Sequence, residues 1–352
     1  MSDLYALIIA GGVGARFWPR SRQDRPKQCL EIGAGRSLIR RTVDRLAPLI
    51  SPERIFVVTA ASMAPALAEL LPEIPSERIL VEPAGRNTAA AVGWGSASIA
   101  AQVGGNPSIA VLPADHVIVN DQELRSLLAD AVLAAQSGAL LTLGVDPSRP
   151  ETGFGYLELG PETGRHGGHV FRRVARFVEK PDAATAKAYL QGGKHLWNAG
   201  MFVFQASSLA GAFLAHLPQM WETIQVLVTH PERLDELYPT LQKLSFDVGI
   251  MEKAERVLTT RASMGWSDLG SWEAVAEHLP VLPGGRGLGR VLAIDSQNNI
   301  VHATGKVVAL LGVHDLVVVD TGDALLICPR DQSQRVREVH QLLKDAGLEH
   351  LL

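Results

Sequence analysis

Three groups of residues carry atoms that can do chemistry. The first is Gly11-Gly12-Val13-Gly14-Ala15-Arg16, which follows the apolar run Leu7-Ile8-Ile9-Ala10 and leads to Pro26-Lys27. Glycines let a backbone turn tightly and bring its N–H groups close to a ligand. Oriented N–H groups, with fixed cations such as Arg16 and Lys27, bind a polyphosphate. Two commoner phosphate loops are excluded. A Walker loop needs Lys-Ser/Thr after its last glycine, where this chain has Ala15-Arg16. A dinucleotide fingerprint needs a third glycine where this chain has Phe17. Trp18-Pro19 also resists a helix running straight out of the loop.

The second group is a pair of acids. Leu112-Pro113-Ala114-Asp115-His116 ends an apolar run with a carboxylate, and Gly265-Trp266-Ser267-Asp268-Leu269-Gly270 supplies another. Either can hold Mg2+, which takes one or two carboxylates plus phosphate oxygens. Either can equally cap a neighbouring element, Asp268 a helix starting near Ser271. The third group is Phe177-Val178-Glu179-Lys180-Pro181 with Trp197-Asn198-Ala199-Gly200 and Gly153-Phe154-Gly155-Tyr156. Glu179 can accept hydrogen bonds from vicinal hydroxyls and Lys180 can pair with a phosphate, or the two form an exposed pair before a proline turn. Asn198 alone also reads as an Asx turn, and Gly155 alone as a hairpin bend.

These segments resemble the nucleotidyltransferases that join an NTP to a sugar 1-phosphate. Their signature, G-G-x-G-x-R-L-x-P-x-S and then P-K, is matched at Gly11, Gly12, Gly14, Arg16, Pro19, Ser21, Pro26 and Lys27. Phe17 replaces the usual leucine, a hydrophobic swap. In that family the positions of Asp115 and Asp268 are metal ligands, which implies a Mg2+ site straddling the nucleotide. Glu179-Lys180 falls on the sugar-phosphate motif and Asn198 on the segment whose asparagine contacts the sugar, with the Gly155 backbone close to the hexose ring. Glu82-Pro83-Ala84-Gly85-Arg86-Asn87-Thr88-Ala89 has the E-P-x-x-R-N-T-A form that resembles mannose-1-phosphate guanylyltransferases. Thymidylyl- and uridylyltransferases usually carry a glutamine-containing segment there. The resemblance thus places Arg86, Asn87 and Thr88 at the nucleotide. Glu82 is a candidate base reader, because a carboxylate can accept from guanine N1–H and the exocyclic amine together; backbone groups can do the same work. A capped helix start at Asn87 or Thr88 is compatible with both.

The activity implied is transfer of GMP from GTP to mannose 1-phosphate with Mg2+, giving GDP-mannose and pyrophosphate. Gly11, Gly12 and Gly14 would cradle the triphosphate. Arg16 would hold the leaving pyrophosphate, and Lys27 would offset charge near the α-phosphate. Two other readings remain: the same fold on another sugar 1-phosphate, such as glucose or heptose, and a non-catalytic regulatory subunit that senses GDP-mannose. The second could dispense with Asp115, Asp268 or Lys27, and all three are present. Some relatives append a phosphomannose isomerase domain, for which the residues after Gly284 are too few.

The elements that must position these groups follow from periodicity. Apolar runs at 6–10, 55–59, 109–112 and 140–143 alternate with helical patterns at 38–46, 64–71, 88–103 and 123–136. That alternation predicts an α/β, Rossmann-like domain with a mostly parallel central sheet, whose ligands sit outside the carboxyl ends of the strands. The stretch 153–200 reads as β-rich and polar, with strands at 153–157, 176–179 and 201–204 around a pocket, and 207–256 reads as helical. Pro283-Gly284-Gly285-Arg286-Gly287 predicts a boundary between a catalytic domain, 1–283, and a C-terminal module, 284–352. Short strands at 291–294, 300–302, 307–311, 316–319 and 325–328 predict a small β module, β-helix-like. A last helix over 332–346 carries Val336, Val339, Leu343 and Ala346 on one face, with Asp331 as its cap and Gly347 as its stop. So much apolar surface on a small module predicts packing on the catalytic domain or in a homodimer.

The 352 residues, 47% hydrophobic, can bury a large core. A net charge of −4 without a basic run argues against a nucleic-acid partner. No apolar stretch is long enough to span a membrane. Cys29 and Cys328 give no metal spacing and no disulfide framework, and read as buried thiols in a reducing compartment. With no secretory h-region near Met1, the expected location is the cytoplasm.

Overall fold

The computed structural model of the chain describes residues 3–32 and 35–352. In chain order the strands are β1 (Leu4–Ala10), β2 (Ile55–Ala60), β3 (Ile79–Glu82), β4 (Ser108–Pro113), β5 (Val117–Ile118), β6 (Leu140–Val145), β7 (Tyr156–His166) and β8 (His169–Val178). Then come β9 (His195–Gln205), β10 (Val257–Arg261), β11 (Trp266–Ser267), β12 (Val281–Leu282), β13 (Gly285–Ile294), β14 (Asn299–Leu311), β15 (Leu316–Asp320) and β16 (Leu325–Pro329). Nine of them form one sheet in the order β3-β2-β1-β4-β9-β6-β10-β8-β7.

Strands covered on both faces read as continuous apolar runs, and β1, β2, β4 and β6 do. One face packs on helices Leu38–Leu46 and Asp121–Ala135 through Ile39, Val43, Leu124 and Leu128. The other packs on Asn87–Val103, Ala206–His216 and Pro218–Thr229 through Ala90, Phe213 and Ile224. The small residues of Asn87–Val103 have a packing cause. A Cβ on Gly95 would meet Leu7 at 2.7 Å, and one on Gly93 would meet Ile224 at 2.7 Å.

The alternating pattern accounts for the parallel part, β3-β2-β1-β4 and β6–β10. The sheet as a whole is mixed, because β9 enters antiparallel between β4 and β6 and the β7–β8 hairpin closes one edge.

A second sheet has the order β12-β13-β14-β15-β16. It starts at Val281, so Pro283 lies in a turn inside this sheet rather than ahead of it. β14 merges two of the expected strands. Its first part pairs with Gly285–Leu288 and its second with Arg290–Ile294, enclosing Val291, Val301, Ala303, Leu310 and Val318.

The terminal helix differs from expectation. Arg330–Glu338 is a 3-10 helix, and only Val339–Asp345 is α-helical. Asp331 does not cap it; the chain enters through Pro329 without a side-chain cap bond. Gly347, at φ +69°, does end it. Ala346 is exposed, whereas Val336 and Leu343 lie in a core shared with Phe17, Trp18, Leu269, Trp272, Val317 and Val319. The module therefore packs on the catalytic unit. Trp18 Nε1 and Arg22 Nη1 both donate to the Leu351 carbonyl at 2.9 Å, and the Gln23 N–H donates to Leu352 O at 2.9 Å. Cys29 is buried, which pushes its thiol up to about 11, while Cys328 is only half-buried.

Candidate active site

β1 pairs with β4 in parallel, with Ile9 opposite Pro113, so the glycine loop and the Asp115 loop leave the sheet at the same end. Gly12 and Gly14 adopt φ of +85° and +74°, where other residues are strained. Gly14 is needed twice over, because a Cβ there would overlap Lys27 Cβ. The Lys27 N–H donates to Val13 O at 3.2 Å and Ser21 Oγ to Gly14 O at 2.8 Å, stapling the returning Pro26-Lys27 segment to the loop.

Lys27 is 6% exposed, and its Nζ donates to Asp115 Oδ2 and to the Asp268 carbonyl, both at 2.7 Å. Asp268 arrives by a short ladder. β5 pairs with β11, Val117 opposite Ser267, which sets Asp268 beside Asp115 and His116. Neither acid is a helix cap. Asn120 caps Asp121–Ala135, and Asp268 Oδ1 accepts from the Gly270 N–H at 3.1 Å in an Asx turn. Desolvation pushes the Asp115 carboxyl upward, but the Lys27 ammonium outweighs it and holds the group below the usual aspartate range. Desolvation also lowers His116, whose Nδ1 accepts from Trp266 Nε1 at 3.1 Å, as a neutral imidazole does. These groups line a cleft of about 360 Å³ with Gly14, Arg16 and, from the C-terminal module, Arg337. Arg16 Nη1 reaches the Gly270 carbonyl at 3.4 Å.

A second cluster gathers Gly155, Glu179 and Asn198. The Asn198 N–H donates to Gly155 O at 2.8 Å, and a Cβ on Gly155 would meet Glu179 Oε2 at 2.6 Å. Asn198 Oδ1 accepts from Thr142 Oγ1 at 2.6 Å and from the Gly200 N–H at 3.2 Å, so the Asx turn is present too. Lys180, in the left-handed region at φ +50°, folds back onto the Glu179 carboxylate. The clusters adjoin, since a Cβ on Gly200 would lie 3.9 Å from His116.

The structure adds two acids that sequence reasoning missed. Asp247 Oδ1 accepts from Asn198 Nδ2 at 2.8 Å, and Glu252 Oε1 from the Glu179 N–H at 2.8 Å. Asp247 opens a π-helical turn, Asp247–Met251, and Glu252 caps its end, its N–H bonding Asp247 O. Their spacing of five is the only trace in the sequence, and it is lost in a stretch read as ordinary helix. Burial, then the Glu179 charge, pushes the Asp247 carboxyl up to about 6. An aspartate in the unfolded chain ionises near 3.8, so the folded state keeps this proton longer and loses stability as pH rises from there to about 6. Asp247→Asn keeps an acceptor for Asn198 and removes that loss. It is expected to melt above the parent at pH 7.5, with the gap closing towards pH 4 in a pH series of melting curves.

The Glu82 segment lies elsewhere in its detail. Glu82 ends β3, is 8% exposed, and its carboxylate accepts from the Tyr238 hydroxyl. Burial raises its pKa. The Tyr238 bond thus fixes Oε1, while Oε2 takes no hydrogen bond from the described residues. Asn87, at φ +66°, accepts the Thr88 N–H at 2.8 Å, which meets the first helical donor. Thr88 does not cap; its Oγ1 accepts from the Phe246 N–H at 2.8 Å and ties this loop to the Asp247 turn. Arg86 is half-buried at the helix start.

Known proteins divide along the same lines. Residues 5–282 match the family described as nucleotidyl transferase, and 289–343 match the MannoseP isomerase/GMP-like beta-helix domain. The Xanthan biosynthesis protein XanB of Xanthomonas campestris pv. campestris is 36% identical over 358 residues, covering 99% of this chain and 74% of that protein. A mannose-1-phosphate guanylyltransferase of Salmonella muenchen is 35% identical over 355 residues, covering 98% and 74%. The crystal structure of a mannose-1-phosphate geranyltransferase from Thermus thermophilus is 40% identical, with a TM-score of 0.87 over 97% of this chain and 99% of that one.

Proposed function

We propose, from the premise that this chain belongs to the nucleotidyl transferase family in its mannose-1-phosphate guanylyltransferase branch, that it transfers GMP from GTP to mannose 1-phosphate. The observation that carries the reading is Lys27, buried against the glycine loop and bridging Asp115 to Asp268. A sugar phosphate oxygen attacks the α-phosphorus of GTP in line, and pyrophosphate leaves. No protein nucleophile is needed, so the chain's work is positioning and charge neutralisation. The N–H groups around Gly11, Gly12 and Gly14 cradle the triphosphate, Arg16 faces the leaving pyrophosphate, and Lys27 faces the α-phosphate. Glu179, Asn198 and the Gly155 backbone meet sugar hydroxyls, and Lys180 swings from Glu179 to the 1-phosphate. Guanine is read in the loop before Thr88, by its backbone groups or by the Glu82 oxygen that Tyr238 leaves unbonded.

The donor chemistry at the cleft fits Mg2+. Asp115 and Asp268 are two carboxylates, and among the described residues no cluster of three His, Cys, Asp or Glu side chains forms a cage. Mg2+ takes one or two carboxylates and completes its shell with phosphate oxygens and water. Bound there, it would neutralise charge on the substrate phosphates. A pyrophosphate-release assay with GTP tests the whole reading. Mannose 1-phosphate should support turnover above glucose 1-phosphate, and no release with any sugar 1-phosphate would overturn it.

The homodimer has a surface to use. On the outer face of β13 and β14, Leu292, Ile294, Val307 and Leu311 are 57–71% exposed and adjacent in register. Contiguous exposed apolar patches mark interaction sites, and a second copy of this face would cover it. Leu311→Glu is expected to halve the mass measured by light scattering without loss of the fold. An unchanged mass would place the contact elsewhere. No helix among the described residues is long and apolar enough to cross a membrane. Two free thiols suit the cytoplasm.

A further inference from the structure

We infer that Arg337, carried by the C-terminal module, binds the polyphosphate of the nucleotide, so that the cleft is completed by a residue from outside the catalytic domain. The inference rests on the nucleotide reading above. Arg337 lines the same cleft as Gly14, Arg16, Lys27 and Asp268.

Its backbone is held in place from both sides. Val336, the preceding residue, is 3% exposed and shares a core with Phe17 of the glycine loop. Seven residues earlier on the same segment, Arg330 Nε donates to Glu273 Oε2 at 2.7 Å and its Nη1 to Asn298 O at 2.9 Å. Beyond it, Leu343 and Leu352 are buried in the same core, and Trp18 and Arg22 hold the Leu351 carbonyl. The 3-10 helix is thus fixed to Phe17 and Trp18, the two residues that directly follow Arg16.

The side chain itself is exposed and free. Among the described residues Arg337 has neither an ion pair nor a hydrogen bond, while Arg335 pairs with Glu338 at 2.9 Å and Arg330 with Glu273. In the cleft, Lys27 is already matched by Asp115 at 2.7 Å, and Arg16 has only a carbonyl. Two guanidinium groups without a carboxylate partner thus face one cavity. A planar guanidinium grips phosphate oxygens bidentately, which makes a di- or triphosphate the matching ligand. Arg337 lies with the glycine loop and not with Glu179 and Lys180, so it meets the phosphates that leave and not the sugar phosphate.

The test compares Arg337→Ala, Arg337→Lys and Arg335→Ala in the full chain, by steady-state kinetics and by calorimetric titration with pyrophosphate alone. Arg337→Ala is expected to raise KM for GTP and weaken pyrophosphate binding by about tenfold, the scale of a lost charged hydrogen bond. KM for mannose 1-phosphate should stay within twofold. Arg337→Lys should recover part of the loss, and Arg335→Ala should match the parent. Unchanged pyrophosphate affinity in Arg337→Ala would overturn the inference, as would equal increases in both KM values, which would mark a general disturbance of the cleft. The titration needs no turnover, so it still decides the role of Arg337 if the parent releases no pyrophosphate with any sugar 1-phosphate, a result that sinks only the proposed activity.

Discussion

Lys27→Ala is expected to cut turnover by about 10²-fold or more, the scale for losing a preorganised donor to the transition state. Lys27 is the one buried lysine among the described residues, and its stem has no freedom to drift because it packs on Gly14. Its ammonium is held at 2.7 Å by both Asp115 and the Asp268 carbonyl. A point charge so fixed is in place before charge moves between the α-phosphate and the leaving group. An interaction that strengthens in the transition state lowers kcat when lost, whereas uniform binding mainly raises KM. Lys27→Arg should rescue poorly, because the planar fork cannot occupy the same narrow channel between two acceptors. Gly14→Ala should resemble Lys27→Ala, since the added methyl displaces the lysine stem. Saturation kinetics in both substrates decide the matter. Unchanged kcat with only a raised KM for GTP would reduce Lys27 to a ground-state clamp.

The acid pair gives the second large effect, and the two members should behave differently. Asp268→Asn retains an oxygen for the Gly270 N–H, so its turn survives while its charge is lost. Turnover should fall by about 10²-fold or more, the melting temperature should scarcely move, and saturation should need more Mg2+. Asp115→Asn also removes the counter-charge of Lys27, so it should lower turnover as much and destabilise the fold as well. Breaking such a pair by removing one partner leaves the other charge uncompensated. A magnesium titration of turnover, run beside melting curves, separates the two. Near-normal turnover in Asp268→Asn would remove that residue from the proposed Mg2+ ligands.

The contiguous motifs were legible because each is a local solution to a local problem. Gly14 must be glycine for Lys27 to pack, and the apolar run before it must be a buried parallel strand. Alternation of strands and helices likewise gave the parallel half of the sheet. What escaped depends on pairings between distant segments. β9 runs antiparallel into the sheet, and nothing within Leu196–Phe204 specifies its neighbours. Asp247 matters only because Asn198 comes to lie against it. The bond that fixes Glu82 Oε1 escaped because its donor, Tyr238, is 156 residues away. The 3-10 stretch Arg330–Glu338 read as α-helix because Val336, its one apolar residue, stands three before Val339, a spacing that suits either helix.

The hold of Trp18 on the Leu351 carbonyl joins residues 333 positions apart. A ribosome adding roughly 5–20 residues per second takes tens of seconds to span such an interval. Throughout that time the loop that will receive the nucleotide has been made, with β1 behind it, while Phe17 and Trp18 wait for Val336, Leu343 and Leu352. The first functional segment to be synthesised is therefore among the last to set. A nascent chain halted before Val336 carries the phosphate motif intact and cannot use it in its finished form.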